Sequence, residues 1–204
     1  MQLTKKTVAN LVKKTIEITD CSWHANDPLM KAYHDTEWGV PLHDDRKLFE
    51  FMVLDAFQAG LSWRTVLYKR ENFRRAFDQF DPVKIASYPE SKIRELMEDA
   101  SIIRNQAKIR ATVTNAAAFL RVVTEFGSFD RFIWQFTGYQ TIHHHYQSIA
   151  EVPASTPESD AMCKALQQRG FKFVGTTICY AFMQASGMVN DHTESCEVNP
   201  LRFG

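Results

Sequence analysis

The chain has 204 residues, enough for one domain with a sizeable core or for two small lobes. Its 24 basic and 24 acidic residues cancel to a formal net charge of zero, so bulk charge gives no nucleic-acid footprint and any such surface has to be local. Four cysteines, with no apolar run long enough for a signal peptide or a membrane span, point to a reducing interior, a cytoplasmic protein and no membrane partner.

Residues 1–20 differ from the rest: they bear lysines and have acids only at Glu17 and Asp20. Val8, Leu11, Val12 and Ile16 fit one face of a short amphipathic helix, and the stretch is poorer in Arg and Ser than a transit peptide. It reads as a peripheral N-terminal extension. Residues 21–204 read as a single domain, with room for two helical lobes.

After residue 43 nearly every periodic stretch predicts helix. Leu48, Phe49, Met52, Val53 and Leu54 recur at helical spacing, and Val66, Phe73, Phe77 and Phe80 continue the stripe after a break at Gly60. Asp81 with Pro82, and Thr156 with Pro157, each pair an N-cap with proline at the first helical position. A long helix is expected from about Ser101 to Glu125, with Ile102, Ile109, Val113, Ala117, Leu120 and Phe126 inward and Gly127 ending it. Another follows Ser128, carrying Phe129, Phe132, Ile133 and Phe136. The segment 138–156 reads as a connection, its run His143, His144, His145 as an exposed loop. With no convincing alternating strand, the expected fold is all-α.

Cys21 and His34 near the start, with His192 and Cys196 near the end, make up a Cys2His2 set. His192 and Cys196 are four apart, which on a helix places them on one face as a bidentate clip for a tetrahedral zinc. A zinc held by all four would tie the chain ends together and be coordinatively full, hence structural rather than hydrolytic. Spacing alone also allows the bland alternative of separate buried thiols and histidines, because nothing in it shows that the two halves meet. Cys163 and Cys179 have no histidine at ligand spacing and read as core thiols.

Three blocks stand out: AYHDTEWGVP at 32–41, QAGLSWRTVLYKRENFRRAF at 58–77, and RGFKFVGTTICYAFMQASGMVNDH at 169–192. In wording, order and spacing they closely resemble the 3-methyladenine DNA glycosylase I family, over about residues 21 to 196. The resemblance implies a helix-hairpin-helix type all-α glycosylase domain over 21–204 and hydrolytic release of N3-methylated adenine from alkylated double-stranded DNA. It also implies one structural zinc on Cys21, His34, His192 and Cys196. A monomer is expected.

The residues make physical sense beside that resemblance. Arg169-Gly170 stops a helix, Gly175 closes a short turn, and Thr176 starts the next helix, whose N-terminal N–H groups suit a DNA phosphate; Arg169 and Lys172 would add local attraction. Trp23, Tyr33 and Trp63 match positions that line the base pocket in the resembling family, and electron-rich rings attract a cationic purine. Trp38 reads as core.

Asp55 occupies the place where many family members have a glutamate that contacts the alkylated base, with Ala56 where glycine is common. The shorter acid between Leu54 and Phe57 is expected to point into a partly buried site as the catalytic carboxylate. Met30 replaces an aromatic of some family members. Asp191 lies near the superfamily's catalytic aspartate but adjoins His192, where capping the expected helix competes with catalysis; it receives no role. Thr176 and Thr177 follow Gly175 where lyase members carry a lysine, so a monofunctional glycosylase is implied. The competing reading is a non-enzymatic, zinc-containing DNA-binding module.

Overall fold

The computed structural model describes residues 21–24 and 26–203; the extension 1–20, with the amphipathic helix expected there, lies outside them. The described residues are mostly helical: α1 (Pro28–Thr36), α2 (Asp45–Gln58), α3 (Trp63–Leu67), α4 (Arg70–Ala76), α5 (Pro82–Ala86), α6 (Glu90–Glu98), α7 (Gln106–Phe126), α8 (Phe129–Trp134), α9 (Pro157–Gln168) and α10 (Thr176–Ala185). The sole sheet among them is a two-residue parallel bridge, β1 (Ile142–His143) with β2 (Val189–Asn190).

The helix boundaries follow local chemistry. Asp81 accepts from the N–H groups of Val83 and Lys84 ahead of Pro82, and Thr156 and Ser159 form a reciprocal capping box around Pro157. Ser128 caps α8 through Arg131 N–H, and Gly127 ends α7 in the left-handed conformation at φ 87°.

The helix at the centre is α2, buried at every position from Leu48 to Phe57 and packed against α3, α7, α8 and α10. A helix covered on every side belongs inside the core; of its two buried acids, Glu50 pairs with Arg74 at 2.7 Å and Asp55 has no such partner. Its C-terminal carbonyls are capped by a cation from another element: Lys108 Nζ donates to Phe57 O at 2.8 Å and Ala59 O at 2.6 Å. The end of the helix that carries Asp55 is thereby fixed. Phe57, Phe73, Phe77 and Phe80 pack as one wholly buried aromatic cluster beside it.

The long helix expected from Ser101 starts later. Asn105 caps α7 through Lys108 N–H, and 101–105 is irregular. Its inward face is also rotated from the expected one: Ile109, Thr112, Asn115, Ala116, Phe119 and Val122 are buried, while Val113, Ala117 and Leu120 are only partly so. The cause is polar. Thr112 bonds back to the Lys108 carbonyl, and Asn115 exchanges two hydrogen bonds with the backbone of Lys172 at 2.7 and 3.0 Å, so neither hydroxyl nor amide is orphaned by burial.

The loop after α1 packs against the chain after α10. Gly39 N–H donates to Gln184 O at 2.8 Å and Leu42 N–H to Ser186 O at 3.0 Å. Gly187, at φ 68°, meets this loop so closely that a Cβ would lie 2.2 Å from the Val40 carbonyl carbon, so only glycine fits. Trp38 is set by this contact against His192, with ring centroids 4.7 Å apart.

Candidate active site and metal centre

A cavity of about 340 Å³ opens where α1, α2, α3 and α10 converge. Its aromatic walls are Trp23, Tyr33, Trp38 and Trp63; Tyr33 and Trp63 lie 5.0 Å apart between ring centroids, and Trp23 stands edge-on to Trp38 at 5.6 Å. Trp38, expected to be core, is both: 7% exposed and part of the cavity wall. Asp55 and Gln58 enter from α2, Ala181 and Gln184 from α10, and Ile149 and Val152 from the connection.

Asp55 is 2% exposed, and its Oδ2 has no hydrogen-bond partner. Burial pushes its carboxyl well above the usual carboxylate range, with no cation among the described residues offsetting the lost hydration. Trp63 Nε1 is also buried and unpartnered. Thus two of the three buried side-chain polar atoms left unsatisfied among the described residues belong to this cavity. Orphans of this kind cost free energy unless a ligand completes them.

Met30 is buried and, with Trp23 and Trp63, lines an adjoining hollow rather than the cavity itself. Gln58 was legible in principle, three residues after Asp55 on one helix face. Nothing local marks Gln184, which reaches the cavity only through the packing of α10 on α2.

At the chain ends, the sulfurs of Cys21 and Cys196 and a ring nitrogen of His34 lie within 4.8 Å of one another, all three residues buried. His34 Nδ1 donates to Asp35 Oδ1 at 2.7 Å, leaving Nε2 to face Cys196 Sγ at 3.5 Å. Thr193 N–H donates to Cys21 Sγ at 3.2 Å. The pKa of the Cys21 thiol is lowered, first by the hydrogen bond from Cys196 and against its own burial. Two sulfurs and a nitrogen with oriented lone pairs fit a zinc ion.

His192 stands beside this trio rather than within it. Its ring packs edge-on to His34 at 4.8 Å, its Nδ1 donates to Asn190 Oδ1 at 3.0 Å, and its Nε2 lies 3.4 Å from the His34 carbonyl oxygen. The expected helical clip of His192 and Cys196 does not form. The chain leaves β2 into a turn closed by Cys196 N–H to Thr193 O, and Asn199 Nδ2 holds the carbonyls of His192 and Thr193.

Between α9 and α10, Arg169 and Gly170 end one helix and Gly175 begins the next, as their types predict. Gly170 takes φ 89°, Phe171 and Val174 are buried, and Phe173 is exposed at φ 56°. Nothing crowds Gly175 within 4 Å of where a Cβ would lie, and α10 has no side-chain cap, so Gly175 leaves the first N–H groups of α10 without a side-chain acceptor. Lys172 is exposed. Arg169 departs from its expected part. Its guanidinium lies over Phe126 and Phe132, pairs with Glu125 at 3.1 Å and donates to the Ala165 carbonyl, so it serves the helix junction. The Thr176 hydroxyl bonds Asp160 and Ser159, tying the starts of α9 and α10.

Asp191 caps no helix. Its buried carboxylate accepts from Tyr180 O–H and Gln184 Nε2, each at 2.7 Å, and from His144 Nδ1 at 2.6 Å. His144 therefore leaves the exposed loop read for the histidine run, whereas His145 stays exposed. Three donors and no exposed surface leave Asp191 no room to orient a water.

Comparison with known proteins agrees with this architecture. The methyladenine glycosylase family model matches residues 23–199. The chain belongs to that family, whose members are hydrolases of N-glycosyl bonds. It is 53% identical to DNA-3-methyladenine glycosylase 1 of Escherichia coli strain K12 over 86% of this chain and 94% of that protein. It is 46% identical to DNA-3-methyladenine glycosylase of Haemophilus influenzae over 87% and 96%. A crystal structure of 3-methyladenine DNA glycosylase I superposes with TM-score 0.87 at 52% identity, covering 89% of this chain and all of that one. The Staphylococcus aureus 3-methyladenine DNA glycosylase I, described for its recognition of 3-methyladenine, gives TM-score 0.87 at 32% identity, covering 90% and 98%.

Proposed function

We propose that the protein is a DNA repair N-glycosylase that takes a flipped 3-methyladenine into the aromatic cavity and releases it hydrolytically, leaving an abasic site. The observation that carries this reading is the pair of unpartnered buried atoms, Asp55 Oδ2 and Trp63 Nε1, in one cavity walled by aromatic rings. A neutral ligand would leave the Asp55 carboxyl neutral; a cationic purine restores its charge and offsets the desolvation. Stacking on Trp23, Tyr33 and Trp63 adds roughly 0.5–2 kcal/mol per cation–π contact.

N3-methylated adenine already carries positive charge, so its glycosidic bond breaks without a strong general acid. Holding the base out of the duplex and stabilising the oxocarbenium-like sugar supply the rate. Asp55 contacts the base and stabilises positive charge as the bond lengthens. The turn 169–175 and the open N-terminus of α10 act as a DNA-binding hairpin in a helix-hairpin-helix arrangement, with Gly170 and Gly175 shaping it, Lys172 adding charge and Thr176 starting the second helix. No lysine lines the cavity among the described residues, which favours a monofunctional enzyme.

Cys21, His34 and Cys196, joined by His192 through Nε2, would hold one zinc that ties the N-terminal segment to the C-terminus and supplies no catalytic chemistry. The direct test incubates the protein with methylated duplex DNA, identifies released bases chromatographically, and treats the reaction with borohydride. Free 3-methyladenine with no trapped protein–DNA adduct is expected; absence of release rejects the activity, and an adduct rejects the monofunctional mechanism.

A further inference from the structure

The cavity contains one polar group whose orientation is dictated by a neighbour rather than by the ligand. Gln184 lines the wall, and its Nε2 donates to Asp191 Oδ2 at 2.7 Å. A carboxylate only accepts, so the amide cannot turn over without placing two acceptors face to face. Asp191 is itself fixed by Tyr180 from α10 and His144 from β1's continuation, and it is fully buried. The backbone of Gln184 is held as well, since its carbonyl accepts from Gly39 N–H at 2.8 Å. With one Nε2 hydrogen committed to Asp191, the amide is held in one orientation, and Oε1 is the acceptor Gln184 has left for a ligand. Asp55 differs: burial favours the proton on its carboxyl, so it can donate or accept as the ligand demands and by itself discriminates poorly.

We propose that Gln184 is a specificity-determining residue. Clamped through Nε2 by Asp191, it presents a fixed acceptor to the base and selects a purine bearing an exocyclic amino group over one bearing a carbonyl oxygen at that position. This rests on the glycosylase reading of the cavity. An amino hydrogen completes Oε1, whereas a carbonyl oxygen meets it lone pair to lone pair, and a site built to hydrogen-bond rejects the mismatched analogue strongly. Asp191 is then a positioning residue, acting through Gln184.

The test measures binding of free 3-methyladenine and 3-methylguanine by quenching of tryptophan fluorescence, in wild type, Gln184→Met and Asp191→Asn. Wild type should prefer 3-methyladenine, and Gln184→Met should shrink that preference by about tenfold or more, with the zinc content unchanged. Asp191→Asn keeps the volume but lets residue 191 donate, so the Gln184 amide turns over and the preference falls further or reverses. It carries the test alone if Gln184→Met does not fold. An unchanged ratio in a folded variant, with 3-methyladenine still bound by wild type, overturns the role of Gln184. Failure of wild type to bind or release 3-methyladenine instead rejects the glycosylase reading.

Discussion

The aromatic cavity and the chain-end cluster share a wall, yet they solve opposite problems. In the cluster every donor has a neighbour: His34 turns Nδ1 to Asp35, His192 turns Nδ1 to Asn190, and Thr193 N–H reaches Cys21. In the cavity Asp55 Oδ2 and Trp63 Nε1 have none. The first region joins the two chain ends through satisfied polar groups; the second leaves buried polar atoms without partners, at a cost in stability. Trp23 and Trp38 join them, each packing against His34 while lining the cavity.

The largest effect that would break this contrast is at the cluster. Cys196→Ser should lower zinc content and stability together, by several kcal/mol and on the order of 10 °C in Tm. Elemental analysis beside calorimetry checks it, and full zinc occupancy in a Cys21→Ser, Cys196→Ser double variant sinks the metal assignment. Next, Asp55→Asn should slow single-turnover excision of 3-methyladenine about ten- to a hundredfold, the worth of roughly 1.5–3 kcal/mol for a charge-assisted hydrogen bond, with zinc retained. Wild-type rate in that variant would make the carboxylate structural. Trp63→Phe keeps an aromatic face but removes the orphan N–H together with part of the ring, so excision should fall by roughly two- to tenfold. A loss as large as that of Asp55→Asn would instead assign the ring, not the N–H, the main part.

The smallest effect has a pH signature. Because burial raises the folded-state pKa of Asp55, its cost is absent below the unfolded value of about 3.9 and grows as pH rises above it, levelling off above the folded pKa. Asp55→Asn should therefore raise the Tm of the ligand-free protein at pH 7 by roughly a few degrees, with the gain vanishing near pH 4. An equal gain at both pH values would show that ionisation of Asp55 carries no cost.

Among particular elements, the legible ones are those whose chemistry is local. The caps at Asp81, Ser128 and Thr156 and the stop at Gly127 satisfy orphan helix groups with residues two to four positions away. The face of α7 was not legible, because its buried side includes Thr112 and Asn115, polar residues made tolerable by partners that periodicity does not see. Arg169 reads as a phosphate ligand by type and is turned inward by Phe126, Phe132 and Glu125.

Sequence by itself determined the helical class, several of the helix ends, the residue types of both sites and, through three blocks of wording, the family. Only the tertiary structure decided that Cys21 and His34 meet Cys196 while His192 sits to one side, that Asp55 is left without a partner, and that Asp191 is saturated while it holds Gln184 to the cavity. The physical reason is range. Caps and periodicity are set within a turn or two of chain, whereas burial, lone-pair accounting and pKa depend on atoms brought together from distant segments.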